Sequence, residues 1–238
     1  MYRGVLDEKL RNNLMRSVKG VFFNLCWPLL SLFVSAMRRF LIKNKLPRLF
    51  NKEVLIVGTS PELDFDLLFS HRKMFSIGLH RVHKIYSKTA WRPDVLILGD
   101  EMLIHNYGNE IIACQSPKTV LATGSRFFIP FGNSQKAITY INIIDKGDSV
   151  IDHSDNLPPE GIYFAGRSVV LLALQYCIKE RVKKIILTGV NFNYEKGYID
   201  ESINNDGLNQ PVPIIAKEQF LSLIKICNDL NIEVQHSV

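Results

Sequence analysis

The chain has 238 residues, 47% of them hydrophobic and 22% charged, which excludes a disordered chain and a polytopic membrane protein. Its length fits one domain, residues 51–238, behind an N-terminal segment, residues 1–50. That segment has ten Lys and Arg against two acidic residues, whereas residues 51–238 have nineteen against twenty-one. A nucleic-acid-binding domain would carry its cations on the folded body, so we expect no nucleic-acid partner.

The N-terminal segment is apolar as well as basic. Residues 21–37 form an apolar run of 17 residues, shorter than the ~20 residues that a membrane-spanning helix needs. Basic residues flank the run on both sides, which favours an amphipathic helix lying in the membrane interface over a spanning helix. We therefore predict that residues 16–48 bind a membrane surface. Packing on the protein's own core, or in a homo-oligomer interface, is the alternative.

The four cysteines lie far apart, each in an apolar run, and none has the spacing of a metal site. They are Cys26, Cys114, Cys177 and Cys227. We predict buried, reduced thiols in a cytoplasmic protein and no structural zinc.

Beyond residue 51, short apolar runs rich in β-formers alternate with helical stretches. We predict strands at 53–58, 74–78, 94–99, 119–124, 139–144, 184–189 and 232–235, and helical stretches at 63–69, 82–87, 168–181 and 214–230. Continuously apolar strands are typical of strands buried on both faces. The alternation predicts an α/β fold, a Rossmann-like, doubly wound and mostly parallel sheet.

Five of the predicted strands end in glycine, at Gly58, Gly78, Gly99, Gly124 and Gly189. Ligands bind outside the carboxyl ends of parallel strands, and glycine lets the backbone approach a ligand closely. We expect this edge of the sheet to carry the functional site. For any single glycine, a tight turn is an equally good explanation.

The first candidate loop follows the first strand and consists of Gly58, Thr59, Ser60, Pro61 and Glu62. Hydroxyls and free backbone N–H groups at the start of a helix suit a phosphate. With one glycine and no lysine, the loop is neither a dinucleotide fingerprint nor a P-loop. Simple helix capping is the alternative.

The second candidate is Gly166, Arg167 and Ser168, ahead of the long helix. Arg167 could hold a phosphate or carboxylate with two hydrogen bonds, and Ser168 is a predicted N-cap. An arginine that is only solvent-exposed is the alternative.

The third candidate is the polar loop after the strand at 184–189. Tyrosine hydroxyls can stabilise a departing phosphate without a metal, and asparagines can hold sugar hydroxyls; ordinary turn structure is the alternative. The residues are Gly189, Asn191, Asn193, Tyr194 and Tyr198. Further candidates at the same edge are His80 and Arg81 after the second strand and Asp100 after the third.

Five motifs occur in order over this domain: IVGTSPEL (56–63), SIGLHRV (76–82), RPDVLILGD (92–100), AGRSVVLLALQYC (165–177) and KIILTGVNF (184–192). In this order and spacing the domain resembles the family-42 bacterial sialyltransferases and the related motility-accessory-factor glycosyltransferases. The resemblance implies a metal-independent enzyme without a cofactor, using a CMP-linked donor such as sialic acid or a related keto-acid sugar. It also implies that the first two loops hold the donor phosphate and sugar carboxylate, and that Tyr194 and Tyr198 assist the leaving phosphate.

The sequence departs from the family pattern at several of these positions. Thr59 and Glu62 replace a glycine and a serine, His80 stands where asparagine is usual, and Asn191 replaces aspartate. The family's histidine base has no counterpart in residues 200–213. The base is therefore left open among Asp200, Glu201, Asp206 and His236.

Together these features predict a glycosyltransferase bound to the cytoplasmic face of a bacterial inner membrane, peripheral or monotopic. Its acceptor would be a surface polysaccharide, a lipopolysaccharide or a lipid-linked glycan. One alternative is an enzyme like the pterin pyrophosphokinases, which would need ATP and magnesium. The other is a non-catalytic scaffold that binds a partner enzyme at the membrane.

Overall fold

The computed structural model describes residues 46–99, 118–123, 137–151, 157, 162–192 and 212–237. The predicted membrane-binding segment, apart from its last three residues, lies outside this range, as do Cys26, Cys114 and Gly124. In the part of the chain that is described, no helix is long and apolar enough to cross a membrane.

The described elements alternate as predicted. They are β1 (Glu53–Val57), α1 (Phe65–Ser70), β2 (Phe75–Leu79), a 3₁₀ helix (Val82–Ser87), β3 (Val95–Leu98), β4 (Lys118–Thr123), β5 (Ala137–Asp145), β6 (Ile162–Ala165), α2 (Val170–Lys179), β7 (Lys184–Thr188), α3 (Val212–Asp229) and β8 (Glu233–Ser237). Every predicted strand is confirmed, whereas β6 is not among the predictions. The predicted α/β fold is thereby confirmed.

The described strands form one sheet in the order β6-β5-β4-β3-β2-β1-β7-β8. Each neighbouring pair is parallel. From β1 the chain builds the sheet outwards through β6, then returns to the other side of β1 for β7 and β8. The strand order reverses between β1 and β7, and such a switch point is where open parallel sheets bind ligands.

Helical elements lie against both faces of the sheet. Successive side chains of a β-strand point to opposite faces, so one strand contributes to two separate apolar clusters. On one face, Val54 and Ile56 of β1 belong to the same buried cluster as Leu174 of α2 and Leu223 of α3. On the other face, Leu55 packs with apolar residues of α1 and the 3₁₀ helix. The central strands of the sheet are thus buried between two layers.

Helix α2 is buried nearly all round, with nine buried residues out of ten, which is typical of a helix inside a core. The Gln175 amide pins it to β6 by accepting from the Phe164 N–H at 2.8 Å and donating to the Phe164 carbonyl at 2.9 Å. Cys177 and Cys227 are free and buried, as predicted. Burial raises the pKa of both thiols, that of Cys227 to about 12.

Candidate functional site

The loops that follow β1 and β7 interlock at the switch point. The Gly58 N–H donates to the Thr188 carbonyl at 2.9 Å, and the Ser60 N–H donates to the Gly189 carbonyl at 2.8 Å. A Cβ atom on Gly58 would lie 2.2 Å from the Gly189 carbonyl oxygen. Gly189 has a φ of 63°, a left-handed conformation that side chains other than glycine rarely adopt. The two glycines are needed so that the loops can touch.

The remaining strand-end glycines in the described residues also face protein. A Cβ atom on Gly78 would meet Val82 and Pro93, and one on Gly99 would meet Leu172 and Val169. A Cβ atom on Gly166 would meet Leu171 and Gln219. These contacts agree with the tight-turn explanation of the glycines. They let the loops pack closely against the protein's own chain, and so hold the rim of the site rigid.

The first candidate loop uses most of its backbone N–H groups internally. The Ser60 hydroxyl accepts from the Glu62 N–H at 3.2 Å, and the Thr188 hydroxyl accepts from the Asp64 N–H at 3.1 Å. Helix α1 begins only at Phe65, with Asp64 as its N-cap. The Ser60 and Glu62 N–H groups are thus not free, because the Gly189 carbonyl and the Ser60 hydroxyl already accept from them. Thr59 is half-buried and Pro61 exposed at the loop surface.

A polar pair joins the two loops across the switch point. The Asn191 side-chain amide donates to the Glu62 carboxylate, and both residues are half-buried. A carboxylate and an amide carbonyl are acceptors of the kind that bind the hydroxyl groups of sugars. The two residues are 129 positions apart in sequence. They are neighbours because β1 and β7 are adjacent in the sheet, so the loops that follow these strands lie at the same edge.

His236 lies at the same edge, at the end of β8. It pairs in register with Leu187 of β7, and its Nε2 atom is 2.7 Å from the Val190 carbonyl oxygen. Only a protonated Nε2 can donate to that carbonyl, so the Nδ1 atom of the neutral ring is an acceptor. Strand β8 extends to Ser237, two residues beyond its predicted end, and this extension carries His236 to the edge.

Helix α3 connects the second candidate loop to the third. The buried Gln219 side chain accepts from the Arg167 N–H at 2.9 Å and donates to the carbonyls of Gly147 and Ser149 at 3.0 and 2.8 Å. The adjacent Phe220 ring lies 5.1 Å from the Phe192 ring, between centroids. One helix therefore fixes both the Arg167 loop and the loop that bears Asn191.

The charge of Arg167 is partly neutralised by Asp148 in the loop after β5. The shortest distance between guanidinium and carboxylate is 2.6 Å, and the side chains are 43% and 60% exposed. An incoming anion would have to compete with this carboxylate for the guanidinium. The predicted N-cap role of Ser168 is wrong, because the N-cap of α2 is Val169, which makes no side-chain cap. The helix therefore begins one residue later than the sequence predicts.

His80 and Arg81 follow β2 at the same edge, in different environments. His80 has a φ of 48°, uncommon for a residue other than glycine, and its N–H donates to the Ile97 carbonyl at 2.9 Å. Its backbone is thus tied to the end of β3. Arg81 is only 5% exposed, so its side chain is enclosed by protein and does not lie open at the edge.

The other candidates lie outside the described residues: Asp100, Asn193, Tyr194, Tyr198, Asp200, Glu201 and Asp206. Within the described ranges, no three His, Cys, Asp or Glu side chains lie together so that they could hold a metal ion.

The sequence has no significant match among protein-family models or among curated proteins. The family resemblance therefore rests on the five motifs alone. The fold and the contacts described above provide an independent basis for inferring what the site does.

Proposed function

We propose that the protein is a glycosyltransferase that binds a nucleotide-linked sugar at the switch point between β1 and β7. The observation that carries this proposal is the meeting of residues 58–62 and 189–191 there, joined by the Glu62–Asn191 pair. Two independent stretches of polar sequence converge where open parallel sheets hold nucleotides. A CMP-linked sialic acid or related keto-acid sugar is the proposed donor, with no cofactor.

The arrangement supplies groups suited to both ends of such a donor. Glu62 and Asn191 offer oxygens and an amide to the sugar hydroxyls, and Thr59 adds a hydroxyl close by. The Arg167 guanidinium would pair with the donor phosphate or the sugar carboxylate, since bidentate pairing with such anions is the characteristic use of arginine. Gln219 contacts the Arg167 loop and the adjacent Phe220 contacts Phe192, so both loops are linked through one helix.

In the proposed reaction the bond between the anomeric carbon and the phosphate oxygen breaks, and CMP leaves with the bonding electrons. The acceptor hydroxyl oxygen forms the new bond to the anomeric carbon and gives its proton to a base. His236 supports this proposal because the Val190 carbonyl fixes its Nε2–H and orients Nδ1 as an acceptor. Asp206 is the alternative base, and Tyr194 and Tyr198 would stabilise the leaving phosphate.

The site suits a membrane-bound enzyme with a glycan acceptor. Residues 16–48 would hold the protein on the cytoplasmic face of the membrane, where lipid-linked glycans, lipopolysaccharide and polysaccharide precursors are assembled. The acceptor hydroxyl would approach from the open edge of the sheet, since both of its faces are buried.

A thermal-shift panel with CMP, CDP, UDP, GDP and ATP, each with and without magnesium, tests the donor class. We expect CMP and CDP to raise the Tm without magnesium, because a ligand at a hundred times its Kd stabilises the folded state by ~2.7 kcal/mol. Stabilisation by ATP only in the presence of magnesium would instead support a pyrophosphokinase. No shift with any nucleotide at millimolar concentration would contradict the proposal and favour a scaffold.

A matched pair of variants locates the response. Asn191→Ala is expected to reduce the shift with a CMP-linked sialic acid, because it removes the amide that is proposed to hold the sugar hydroxyls beside Glu62. Asn228→Ala, an exposed asparagine near the end of α3, should leave the shift unchanged. Equal shifts in both variants would place the nucleotide elsewhere on the protein.

A further inference from the structure

We propose that the edge of the sheet opposite the candidate site is a docking surface for an anionic lipid bilayer. This surface, named here the amino edge, consists of residues 46–53, 69–74, 88–94, 179–184 and 229–233, which lead into strands at their amino ends. The inference concerns how the folded domain meets the membrane and does not depend on the proposed reaction.

Exposed apolar side chains project from this edge. Phe50 is 71% exposed, Phe69 65% and Leu230 50%. Phe50 lies at the tip of a tight turn, closed by the Lys52 N–H donating to the Leu49 carbonyl at 2.9 Å. Leu49, next to it, is fully buried, and its N–H donates to the Glu180 carboxylate at 3.1 Å. The turn is therefore held firmly while its aromatic ring faces solvent.

The loops of the amino edge form one continuous surface. The Asn51 N–H donates to the Arg181 carbonyl at 3.0 Å, the Lys183 N–H to the Lys52 carbonyl at 2.8 Å, and the Glu233 N–H to the Lys183 carbonyl at 3.2 Å. Pairing of β1 with β2 in parallel places residues 69–74 beside the same turn. Phe50, Phe69 and Leu230 thus lie on a shared edge and not at scattered points.

The amino edge also concentrates positive charge, with ten Lys and Arg against five Asp and Glu. The cations are Arg48, Lys52, Arg72, Lys73, Lys88, Arg92, Lys179, Arg181, Lys183 and Lys184, and the acids are Glu53, Asp94, Glu180, Asp229 and Glu233. Elsewhere in the described residues the two signs nearly balance, with seven cations against six acids. The Arg72 guanidinium carbon lies 4.1 Å from the Phe69 ring centroid, so charge and aromatic surface occur together.

This combination suits a bilayer better than a nucleic acid or a protein partner. Aromatic and aliphatic side chains enter the headgroup boundary, and Lys and Arg beside them are attracted to anionic lipids. The chain also enters the described domain on this edge, at residue 46, directly after the basic apolar segment predicted to bind the membrane.

Docking through the amino edge would determine which way the candidate site faces relative to the bilayer. The carboxyl ends of the strands would face away from the bilayer, at a distance of at least the length of a five-residue strand, roughly 17 Å. An acceptor held in the membrane would have to extend that far. A sugar attached directly to a lipid headgroup would therefore be a poor acceptor, and an extended glycan or lipopolysaccharide a better one.

Two single-tryptophan additions in the full chain test the docking surface. Phe50→Trp places the probe on the amino edge, and Ile214→Trp places it on a comparably exposed site, 56% exposed, in the first turn of α3. Each is mixed with vesicles of brominated phosphatidylcholine, with and without phosphatidylglycerol. Wild-type quenching, from Trp27 and Trp91, is subtracted.

We expect phosphatidylglycerol vesicles to quench the tryptophan at position 50 and not the one at 214. The double variant Arg72→Gln/Lys73→Gln, made in the Phe50→Trp background, should weaken vesicle binding roughly 25-fold, about fivefold for each cation removed. The control Lys217→Gln should not weaken it. Equal quenching at both positions, or none at position 50, would overturn the proposal, as would a response to duplex DNA without one to vesicles. A blue-shifted position-50 emission in the absence of vesicles would show that protein covers this edge and would also overturn it.

Discussion

The two edges of the sheet differ in how their loops are built. At the carboxyl edge, glycines bring loops into direct backbone contact and polar side chains meet across the switch point. At the amino edge, the loops present Phe50 and a ring of cations to solvent. The first arrangement fixes the geometry of a small site. The second presents exposed apolar and basic side chains, a combination that suits a soft, charged surface.

This difference shows how one sheet can separate two tasks. Packing at the carboxyl edge resists movement, because a Cβ on either glycine of the switch point would contact backbone or a core leucine. The exposed residues of the amino edge, such as Phe50 and Phe69, lie at the surface of the domain and outside its core. Substitutions should therefore change stability and ligand binding at the carboxyl edge, and membrane affinity at the amino edge.

The largest effect is expected for Gly58→Val. Its Cβ would lie 2.2 Å from the Gly189 carbonyl oxygen, and because backbone cannot move aside cheaply, we expect a loss of about 4 kcal/mol in the free energy of unfolding. Urea denaturation followed by circular dichroism measures it. The control Gly147→Ala, with a φ of 55° but open space around it, should cost only about 1 kcal/mol. Similar losses in both variants would mean that the loops do not interlock.

A somewhat smaller effect is expected for Gln219→Leu. The substitution removes three hydrogen bonds that join α3 to the Arg167 loop and to the loop after β5. Because the Gln219 side chain is fully buried and each hydrogen bond contributes about 1 kcal/mol net, we expect a loss of about 3 kcal/mol. Glu218→Leu, at the neighbouring exposed position, should change stability by less than about 0.5 kcal/mol. If Gln219→Leu were equally mild, the bridge through α3 would be absent.

The two edges can be separated by a pair of arginine substitutions. Arg167→Gln should weaken CMP binding about tenfold, since a charged hydrogen bond contributes about 1.5 kcal/mol, while leaving vesicle binding unchanged. Arg181→Gln should weaken binding to phosphatidylglycerol vesicles about fivefold and leave CMP binding unchanged. Isothermal titration calorimetry and vesicle sedimentation measure the two affinities. If either variant weakened both CMP binding and vesicle binding, the two edges would not act separately.

The smallest effect concerns the core beneath the amino edge. Burial raises the pKa of the Cys227 thiol from 9.0 to about 12. Because the folded state keeps this thiol protonated, its contribution to stability is complete below pH 9 and is lost as the pH rises from 9 towards 12. The urea midpoint should fall over this range, and fall less steeply in Cys227→Ala. Burial also raises the pKa values of Tyr176 and Cys177. The urea midpoint of Cys227→Ala should therefore still fall as the pH rises. If the urea midpoints of the wild type and Cys227→Ala fell equally steeply with pH, the Cys227 thiol would not be buried.

Much of the fold could be predicted from local patterns, and the exceptions have physical causes. Residues 54–57 and 185–187 are apolar at successive positions because helices cover both faces of the strands. Strand β6 was not predicted because it leads almost directly into a long helix, whose apolar pattern begins a few residues later. Strand β8 continues into polar residues because it lies at the edge of the sheet, where burial no longer demands an apolar side chain.

The candidate site was less predictable, since its contacts join distant parts of the chain. The order of the motifs and the positions of the predicted strands were sufficient to predict that residues 58–62 and 189–191 lie at the same edge of the sheet. The role of the glycines was not predictable, because what a Cβ would meet depends on a loop 130 residues away. The Arg167–Asp148 pair and the placement of His236 depend in the same way on strand order. Sequence patterns locate the edge, whereas packing decides which groups are available on it.

The central claim is that the switch point between β1 and β7 binds a cytidine nucleotide. Hydrogen–deuterium exchange of the full chain, with and without CMP, tests it most directly. We expect CMP to slow exchange in peptides covering residues 58–62 and 189–192, and to leave those covering residues 46–53 and 229–233 unchanged. Protection confined to the amino edge, or no protection at saturating CMP, would contradict the account.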